Sequence, residues 1–226
     1  MPEGKITALR KQEHDPQRVN VFIENTFAIG ISLTTLTRES LYVGKLIDAA
    51  AWARLEASEH HDKAFQAALR YLQSRPRSTA EVRLKLQQKQ FAAPVIDAAI
   101  ARLTELELLN DEAFARFWVE NRQTHRPRGV ALVRTELLRK GIDRTIIDHT
   151  MADEDLHGDD SERALALARG VLRKYQDAPD RAAFQRRLGG YLQRRGFLFA
   201  TIRPILDELW HEVQQTGVDE AEDREE

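Results

Sequence analysis

The stretch LeuGlnGlnLysGlnPhe, residues 86–91, occurs twice more along the chain in altered form. It returns as LeuLeuArgLysGlyIle at 137–142 and as LeuGlnArgArgGlyPhe at 192–197, so the copies begin 51 and then 55 residues apart. Ile96, Ile147 and Ile202 follow the three copies at the same spacing. Self-similarity at a period of this size is typical of repeat proteins, in which each copy forms one supersecondary unit.

Helix start and stop signals divide each copy into three helices. In the first copy the loop Arg75-Pro76-Arg77 ends one helix, because proline cannot continue a helix and disfavours helical geometry at the residue before it. SerThrAlaGlu at 78–81 has the form of a capping box that starts a second helix, and Pro94 suits the first turn of a third. Gly141 and Gly196 stand where the second helices of the later copies should end in a left-handed residue.

The residues before the repeats have a different pattern. Short segments at 6–11, 18–23 and 26–32 are rich in β-branched and apolar residues, and Glu24-Asn25 between the last two suits a tight hairpin turn. We expect a small β-hairpin or three-stranded sheet, which would be too small to be stable alone and would pack on the helix that follows.

The predicted fold is therefore mainly α, with three tandem three-helix repeats and a small β-rich N-terminal region. Because neighbouring repeats bury shared apolar faces, the repeats should form an elongated, curved array. The predicted divisions are a β-hairpin or sheet region (1–45), a connecting helix (46–61), repeat 1 (62–110), repeat 2 (111–152), an acidic linker (153–160), repeat 3 (161–217) and a disordered acidic tail (218–226).

The net charge of −2 conceals an uneven distribution. The three repeats together carry +9, the N-terminal 61 residues carry −1, and the acidic linker and tail carry −5 each. A uniformly basic nucleic-acid-binding protein is excluded, whereas a basic binding surface on the repeats is not.

Motifs for catalysis and for cofactors are absent from the sequence. The chain has no cysteine, and none of its seven histidines occurs in a metal-binding spacing. It also lacks a glycine-rich phosphate loop and a nucleophile elbow, so we expect a binding protein that is not an enzyme and needs no cofactor. Neither a membrane span nor a secretory leader is evident, which predicts a cytoplasmic protein.

Arginines flank the prolines of two equivalent loops, and these are the first candidate binding residues: Arg75, Arg77, Arg126 and Arg128. The guanidinium group binds carboxylate and phosphate with two parallel hydrogen bonds, so equivalent arginines in successive repeats suit an acidic partner. The alternative interpretation is that these side chains only bond carbonyl groups where the preceding helices end.

A second set of candidates lies near the ends of the second helices. Lys89, Lys140 and Arg195 are equivalent in the three copies, and Arg186, Arg187 and Arg194 add positive charge to repeat 3. The alternative interpretation is that these cations interact with the helix dipole. The bulky residues Phe114, Phe117 and Trp118 are expected in the core, and Trp52 and Trp210 are expected to pack rather than to stack on bases.

Three longer segments resemble the RecX family of bacterial RecA regulators. They are AlaLeuArgTyrLeuGlnSerArgProArgSerThrAlaGluValArgLeuLysLeu (68–86), LeuLeuAsnAspGluAlaPheAlaArgPheTrpValGluAsnArg (108–122) and GluLeuLeuArgLysGlyIleAsp (136–143). The resemblance covers residues 62 to about 151 well, and GlyTyrLeuGlnArgArgGlyPhe (190–197) keeps repeat 3 in register. The β-rich N-terminus is similar to that of longer members of the family.

The resemblance implies a protein that binds the filament of RecA on single-stranded DNA, lies in the groove of the filament, and inhibits ATP hydrolysis, strand exchange and co-protease activity. Its implied partners are the RecA filament and, through weak or RecA-assisted contact, single-stranded DNA, with the protein itself a monomer. The acidic linker and tail depart from this picture, since they either weaken contact with DNA or contact basic residues of RecA.

Two other functions remain open on the sequence. Three-helix units are similar in outline to helix-turn-helix domains, so the chain could be a DNA-binding regulator that acts without RecA. Helical repeats also serve as general scaffolds for protein interactions. Whether a RecX-like protein coats the filament groove or caps the filament end is not decided by the sequence.

Overall fold

The computed structural model describes residues 2–153, 156 and 158–222. The chain divides into two compact units that meet in sequence at Asn110 and Asp111. The first unit contains a sheet and repeat 1, and the second contains repeats 2 and 3. The fold is mainly α with a small N-terminal sheet, as the sequence predicts.

The sheet of the first unit has four antiparallel strands in the order β3-β2-β1-β4. Three of them occupy the predicted segments and the fourth is a two-residue addition: β1 (Gly4–Lys11), β2 (Arg18–Ile23), β3 (Thr26–Ser32) and β4 (Leu46–Ile47). Glu24 and Asn25 have φ angles of 46° and 62°, the left-handed values that a two-residue hairpin turn of this type requires. The predicted turn is confirmed.

One face of the sheet packs against helices. The alternate residues Val19, Val21 and Ile23 are buried together with Trp52 and Leu55 of the following helix. A short helix α1 (Leu33–Arg38), capped by the Ser32 side chain, connects β3 to this core. The small sheet therefore depends on helix packing for its buried surface.

Helix α2 (Ala49–Leu72) is a single helix of 24 residues. The sequence analysis divides this segment at 61 into a connecting helix and the first helix of repeat 1, and the expectation of two separate helices is wrong. Neither glycine nor proline occurs between residues 59 and 62, so nothing local ends the helix. Its first half packs on the sheet and its second half is the first helix of repeat 1.

Glu59 joins the sheet to α2. Its carboxylate is fully buried, accepts hydrogen bonds from Nη2 of Arg18 at 2.7 Å and from the backbone N–H of Ser32 at 3.0 Å, and lies 3.7 Å from Nζ of Lys63. A buried carboxylate is tolerated only with such a set of partners.

We expect Glu59→Ala to lower the free energy of unfolding of the first unit by about 3 kcal/mol, since it removes the countercharge of Arg18 and the acceptor of the buried Ser32 N–H. Arg18 keeps the Gly30 carbonyl oxygen as its other acceptor. Urea denaturation followed by circular dichroism measures the change. Glu56→Ala is the control. Glu56 lies on the same helix and forms no ion pair within the described residues, so its removal should change the free energy of unfolding by less than about 0.5 kcal/mol. Equal losses in the two variants would contradict this role of Glu59.

Repeat 1 is completed by α3 (Thr79–Gln88) and α4 (Ala93–Glu105). The predicted capping box is present, because Ser78 accepts a hydrogen bond from the Glu81 N–H and Glu81 accepts one from the Ser78 N–H. Val82, Leu86, Ile96 and Leu103 pack with alanines of α2 in a separate core. The repeat is thus a three-helix unit with its own buried cluster.

The second unit repeats this arrangement twice. Repeat 2 consists of α5 (Asp111–His125), α6 (Val130–Arg139) and α7 (Arg144–Ala152). Repeat 3 consists of α8 (Asp160–Val171) with a 3-10 turn after it, α9 (Arg181–Arg194) and α10 (Phe199–Glu222). Gly141 and Gly196, at φ 75° and 89°, follow α6 and α9 in the predicted left-handed conformation, and Gln90 adopts it after α3 at φ 62°.

Repeats 2 and 3 touch through two glycines. The N–H of Gly129, the N-cap of α6, donates a 2.9 Å hydrogen bond to the carbonyl oxygen of Arg195 at the end of α9. A Cβ on Gly129 would lie 2.2 Å from the carbonyl oxygen of Gly196, and one on Gly196 would lie 2.2 Å from Cβ of Leu132. The two backbones approach closely because neither glycine has a side chain.

The two acidic stretches are described only in part. Asp159 caps α8, whereas 154, 155 and 157 of the predicted linker lie outside the described residues. Helix α10 continues past the predicted end of repeat 3 at residue 217 and includes residues 218–222 of the segment predicted as a disordered tail. The rest of that segment, 223–226, lies outside the described residues.

Candidate functional site

An aromatic ring flanked by cations lies beside the first and second helices of repeat 1. The guanidinium carbon of Arg77 is 4.1 Å from the centre of the Tyr71 ring, and Nζ of Lys85 is 5.7 Å from it. Tyr71 is half-buried against the repeat core. Tyr71, Arg77 and Lys85 form ring cluster 1, in which the ring holds two cations at the surface.

The other candidates of repeat 1 have different surroundings. Arg75 donates two hydrogen bonds to Glu81, at 2.9 and 3.2 Å, so its guanidinium group is already bound to a carboxylate within the chain. Lys89 is the exposed C-cap residue of α3 and forms no ion pair in the described part of the chain. Its position agrees with the dipole interpretation and also leaves the ammonium group accessible.

Ring cluster 2 is built around Trp118 of α5. The guanidinium carbon of Arg122 lies 4.2 Å from the centre of the indole, and Nζ of Lys140 lies 5.0 Å from it. The indole N–H donates a 2.9 Å hydrogen bond to Glu136. Trp118 therefore lies at the margin of the core rather than inside it, whereas Phe114 is fully buried as predicted.

Glu136 also anchors arginines. It accepts a 2.7 Å hydrogen bond from Nε of Arg122 and forms an ion pair with Arg128, and its side chain is only 11% exposed. The loop arginine Arg128 is thus held on repeat 2 by a carboxylate, as Arg75 is held on repeat 1. The sequence leaves open whether these two arginines bind a partner or only satisfy groups of their own chain. In the structure each is paired with a carboxylate of its own repeat, and Arg75 also donates a 2.8 Å hydrogen bond to the Pro76 carbonyl oxygen.

Four arginines converge where repeats 2 and 3 meet: Arg122, Arg126, Arg128 and Arg195, the joint cluster. Burial lowers the pKa of Arg128, and the nearby positive charges of Arg122, Arg126 and Arg195 lower it further. Burial also lowers the pKa of Arg122. Arg126 is exposed and has no ion pair among the described residues. Mutual repulsion in such a cluster is relieved when an anion binds.

Repeat 3 carries ring cluster 3, formed by Tyr175 and Tyr191, whose ring centres are 6.2 Å apart. The guanidinium carbon of Arg187 lies 5.8 Å from the centre of Tyr175, and that of Arg195 lies 5.0 Å from the centre of Tyr191. Arg195 therefore belongs to both ring cluster 3 and the joint cluster. Arg194 is exposed and forms no ion pair within the described residues.

The predicted pair Arg186-Arg187 is divided by the structure. Arg187 faces Tyr175, whereas Arg186 lines a groove between α9 and α10. Three of the predicted candidates lie together in the joint cluster: Arg126, Arg128 and Arg195. The 51- and 55-residue offsets between the copies do not reveal that these three residues are close in space.

The rings are the part of the site that sequence reasoning misses. Tyr71, Trp118 and Tyr191 do not occupy equivalent positions, since the offsets align Tyr71 with Arg122 and Trp118 with Arg173. The alignment of copies therefore hides a feature that every repeat has. Tyr71 lies at the end of a first helix, Trp118 lies in the middle of α5 and Tyr191 lies on the second helix of repeat 3, so the sequence has no common positional signal for the three rings.

Rings with adjacent guanidinium groups suit a ligand that has both flat groups and negative charges. Bases of a single-stranded nucleic acid stack on aromatic side chains and on guanidinium planes, and its phosphates bind arginine. Acidic protein surfaces bind the same arginines. Within the described residues, no group of three or more acidic or histidine side chains is arranged to hold a metal ion, and no helix has the length and apolarity needed to cross a membrane.

Comparison with known protein families gives four matches along the chain. Residues 4–48 match the regulatory protein RecX N-terminal domain. Residues 64–103, 110–151 and 159–206 match the first, second and third three-helix domains of RecX. The family models therefore divide the chain into an N-terminal domain followed by three three-helix domains, in the same order as the repeats of the structure.

Individual relatives agree with these matches. The regulatory protein RecX of Bacillus pumilus (strain SAFR-032) is 29% identical over 218 residues, which cover 96% of this chain and 81% of the relative. The regulatory protein RecX of Mycobacterium sp. (strain JLS) is 39% identical over 132 residues, which cover 57% of this chain and 72% of the relative.

Solved structures share the fold. A crystal structure of a regulatory protein RecX superposes with a TM-score of 0.74 over 90% of this chain and 98% of the other, at 23% identity. The crystal structure of RecX from Lactobacillus salivarius gives a TM-score of 0.59 at 27% identity, over 67% of this chain and 97% of the other. Together with the ordered matches of the N-terminal and three-helix domains, this shows that the chain belongs to the RecX family of regulatory proteins.

Proposed function

We propose that this protein binds the filament that RecA forms on single-stranded DNA and inhibits ATP hydrolysis, strand exchange and co-protease activity of RecA. It acts as a monomer and without catalysis of its own. Membership of the RecX family supports the regulatory role, and the arginines of the ring and joint clusters support the kind of partner.

The joint cluster is the observation that carries the proposal. Two of its guanidinium groups, those of Arg122 and Arg128, share one carboxylate, Glu136. The positive charges of Arg126 and Arg195 also act on Arg128, and Arg126 is exposed with no ion pair among the described residues. A filament containing single-stranded DNA offers phosphates at regular spacing, together with acidic side chains of the protein that coats it. Both would relieve the repulsion among these arginines.

The ring clusters add contact with flat groups. Tyr71, Trp118 and Tyr191 are half-buried, so each is fixed in place by packing while part of its surface remains accessible. Stacking of one base on an aromatic side chain contributes about 1–3 kcal/mol. Contacts of this kind do not depend on base sequence, which suits a regulator that must act wherever a filament forms.

Titration of the full chain against the DNA-dependent ATPase of RecA tests the proposal. The rate of ATP hydrolysis should fall at or below stoichiometric amounts of the protein, and strand exchange should fall in parallel. An unchanged ATPase rate and unchanged strand exchange across this range would refute it. Tight and sequence-selective binding of duplex DNA without RecA would instead favour the alternative of an independent DNA-binding regulator.

Removal of the two loop arginines Arg77 and Arg128 is expected to weaken inhibition. The double variant Arg77→Ala, Arg128→Ala should need about fivefold to thirtyfold more protein for half-inhibition, because two guanidinium contacts are lost, each worth roughly 0.5–1 kcal/mol. Helicity should be unchanged, since Glu136 keeps Trp118 and Arg122 as donors.

The chain provides a matched control. Arg83 pairs with Asp97 in repeat 1, and Arg134 pairs with Asp148 at the equivalent place in repeat 2. Both pairs are exposed, so the double variant Arg83→Ala, Arg134→Ala removes the same charge at small cost in stability. If the two double variants need the same amount of protein for half-inhibition of the RecA ATPase, Arg77 and Arg128 have only structural roles.

A further inference from the structure

A groove between α9 and α10 of repeat 3 lies apart from the rings of ring cluster 3. Its volume is about 800 Å³, and its lining includes Arg186, Gly190, Phe199, Arg203 and Asp207. The proposed function assigns no ligand to it.

Two consecutive glycines of α9, Gly189 and Gly190, border the groove. Gly189 is buried, and a Cβ there would lie 3.1 Å from the Leu206 side chain of α10, so this glycine lets the two helices pack closely. A Cβ on Gly190 would meet only the far end of the Arg194 side chain, at 3.3 Å. Glycine inside a helix costs about 1 kcal/mol relative to alanine, and the missing side chain of Gly190 leaves part of the α9 surface uncovered.

The groove has an excess of positive charge. Arg186 and Arg203 are exposed, and neither forms an ion pair within the described part of the chain. Arg181 is engaged, since it donates a 2.6 Å hydrogen bond to Asp207, and this bond lowers the pKa of the Asp207 carboxyl. The positive charge of Arg203 also lowers the pKa of Asp207, so Arg203 is partly compensated, whereas both Arg186 and Arg203 keep hydrogen-bond donors for an acidic ligand.

The remaining lining favours a peptide over a nucleic acid. The Gln185 amide nitrogen donates a 3.2 Å hydrogen bond to Asp207, which leaves its carbonyl oxygen as an acceptor for a main-chain N–H. Gln193 can both donate to and accept from a main chain, whereas a phosphodiester backbone has no donor for either carbonyl oxygen. Phe199 is 62% exposed and borders Leu206, which provides a site for an apolar side chain.

We propose that this groove binds an acidic peptide segment of a partner protein, with carboxylates on Arg186 and Arg203 and one apolar side chain against Phe199. The two arginines of the groove require a partner segment that carries carboxylates. This contact is separate from the contacts that the ring clusters and the joint cluster make. Bidentate pairing of carboxylates with the two arginines fixes the direction of the bound segment.

Fluorescence anisotropy with the full chain tests this. The probe is a labelled synthetic peptide of alternating aspartate and glutamate with one central leucine, and the control peptide replaces each acidic residue by glutamine. The acidic peptide should bind, and the double variant Arg186→Ala, Arg203→Ala should raise its Kd about tenfold or more, which is about 1.4 kcal/mol. Gly190→Leu should raise Kd similarly by filling the groove without changing charge.

The matched control is Arg54→Ala with Arg144→Ala, which removes two exposed arginines that lie outside the groove and form no ion pair within the described residues. This variant should keep the original Kd. Three outcomes would overturn the proposal: no binding of the acidic peptide, equal loss in the control variant, or self-association of the protein that the groove variants abolish. Competition by single-stranded DNA that depends on Arg186 and Arg203, without peptide binding, would assign the groove to nucleic acid instead.

Discussion

Gly129→Ala is expected to lower the free energy of unfolding of the unit formed by repeats 2 and 3 by about 3 kcal/mol, at the upper end of the range for overpacking. The new Cβ would lie 2.2 Å from the carbonyl oxygen of Gly196 and 2.4 Å from its carbonyl carbon. Both are backbone atoms at the end of α9, so no side-chain rotation can relieve the overlap. The repeats must separate or the helix end must shift.

Urea denaturation monitored by circular dichroism gives the magnitude, and Gly170→Ala is the matched control. Gly170 lies in α8, its φ is not left-handed, and a Cβ there would meet nothing within 4 Å. This substitution should stabilise the protein by about 0.5–1 kcal/mol, because alanine has the higher helix propensity. An unfolding midpoint of Gly129→Ala equal to that of the original protein would show that the contact between repeats is not closely packed.

The same substitution has a functional consequence. Separation of the repeats would break the hydrogen bond from the Gly129 N–H to the Arg195 carbonyl and move Arg195 away from Arg122 and Arg128. We therefore expect weaker RecA inhibition from Gly129→Ala at temperatures where the variant is still folded.

Charge reversal in the joint cluster should have the largest effect on binding. For the double variant Arg126→Glu, Arg195→Glu we expect at least tenfold more protein at half-inhibition of the RecA ATPase. Two attractive contacts with an anionic partner become repulsive, whereas neither arginine forms an ion pair within the described residues whose loss would unfold the repeat. Thermal unfolding should stay within a few degrees of the original.

Salt dependence separates a phosphate ligand from an acidic protein surface. If the two arginines contact phosphates of single-stranded DNA, their loss should reduce the slope of log K against log salt concentration by about 1.4. The reversal Arg54→Glu, Arg144→Glu changes the net charge equally at exposed positions outside the cluster. Similar weakening by both double variants would mean that total charge, rather than the joint cluster, controls binding.

Local structure follows closely from short-range sequence signals. The capping box at Ser78 and Glu81, the left-handed turn at Glu24-Asn25 and the left-handed Gly141 are all present. Each depends on a few adjacent residues, so its energetics are nearly independent of the remainder of the fold. The apolar period of the helices also locates the cores, because helix geometry alone puts those side chains on one face.

Predictions fail where an element depends on distant partners. Glu59, in a polar segment of helix α2, is fully buried and bonds Arg18 and Ser32 from the sheet. Nothing near Glu59 in the sequence indicates these partners. In the same way Trp118 is held at the surface by Glu136 and by two cations rather than buried.

The sequence by itself determined the three-helix repeat, its period, its caps and the number of copies, because those depend on local conformational preference and on helical periodicity. Only the tertiary structure decided which arginines are available. Arg75 and Arg128 are bound to carboxylates in their own repeats, while Arg126 and Arg195 meet at a joint that exists because Gly129 and Gly196 lack side chains. Ion pairs and close backbone contacts join residues far apart in the chain, and their partners are set by packing rather than by neighbouring sequence.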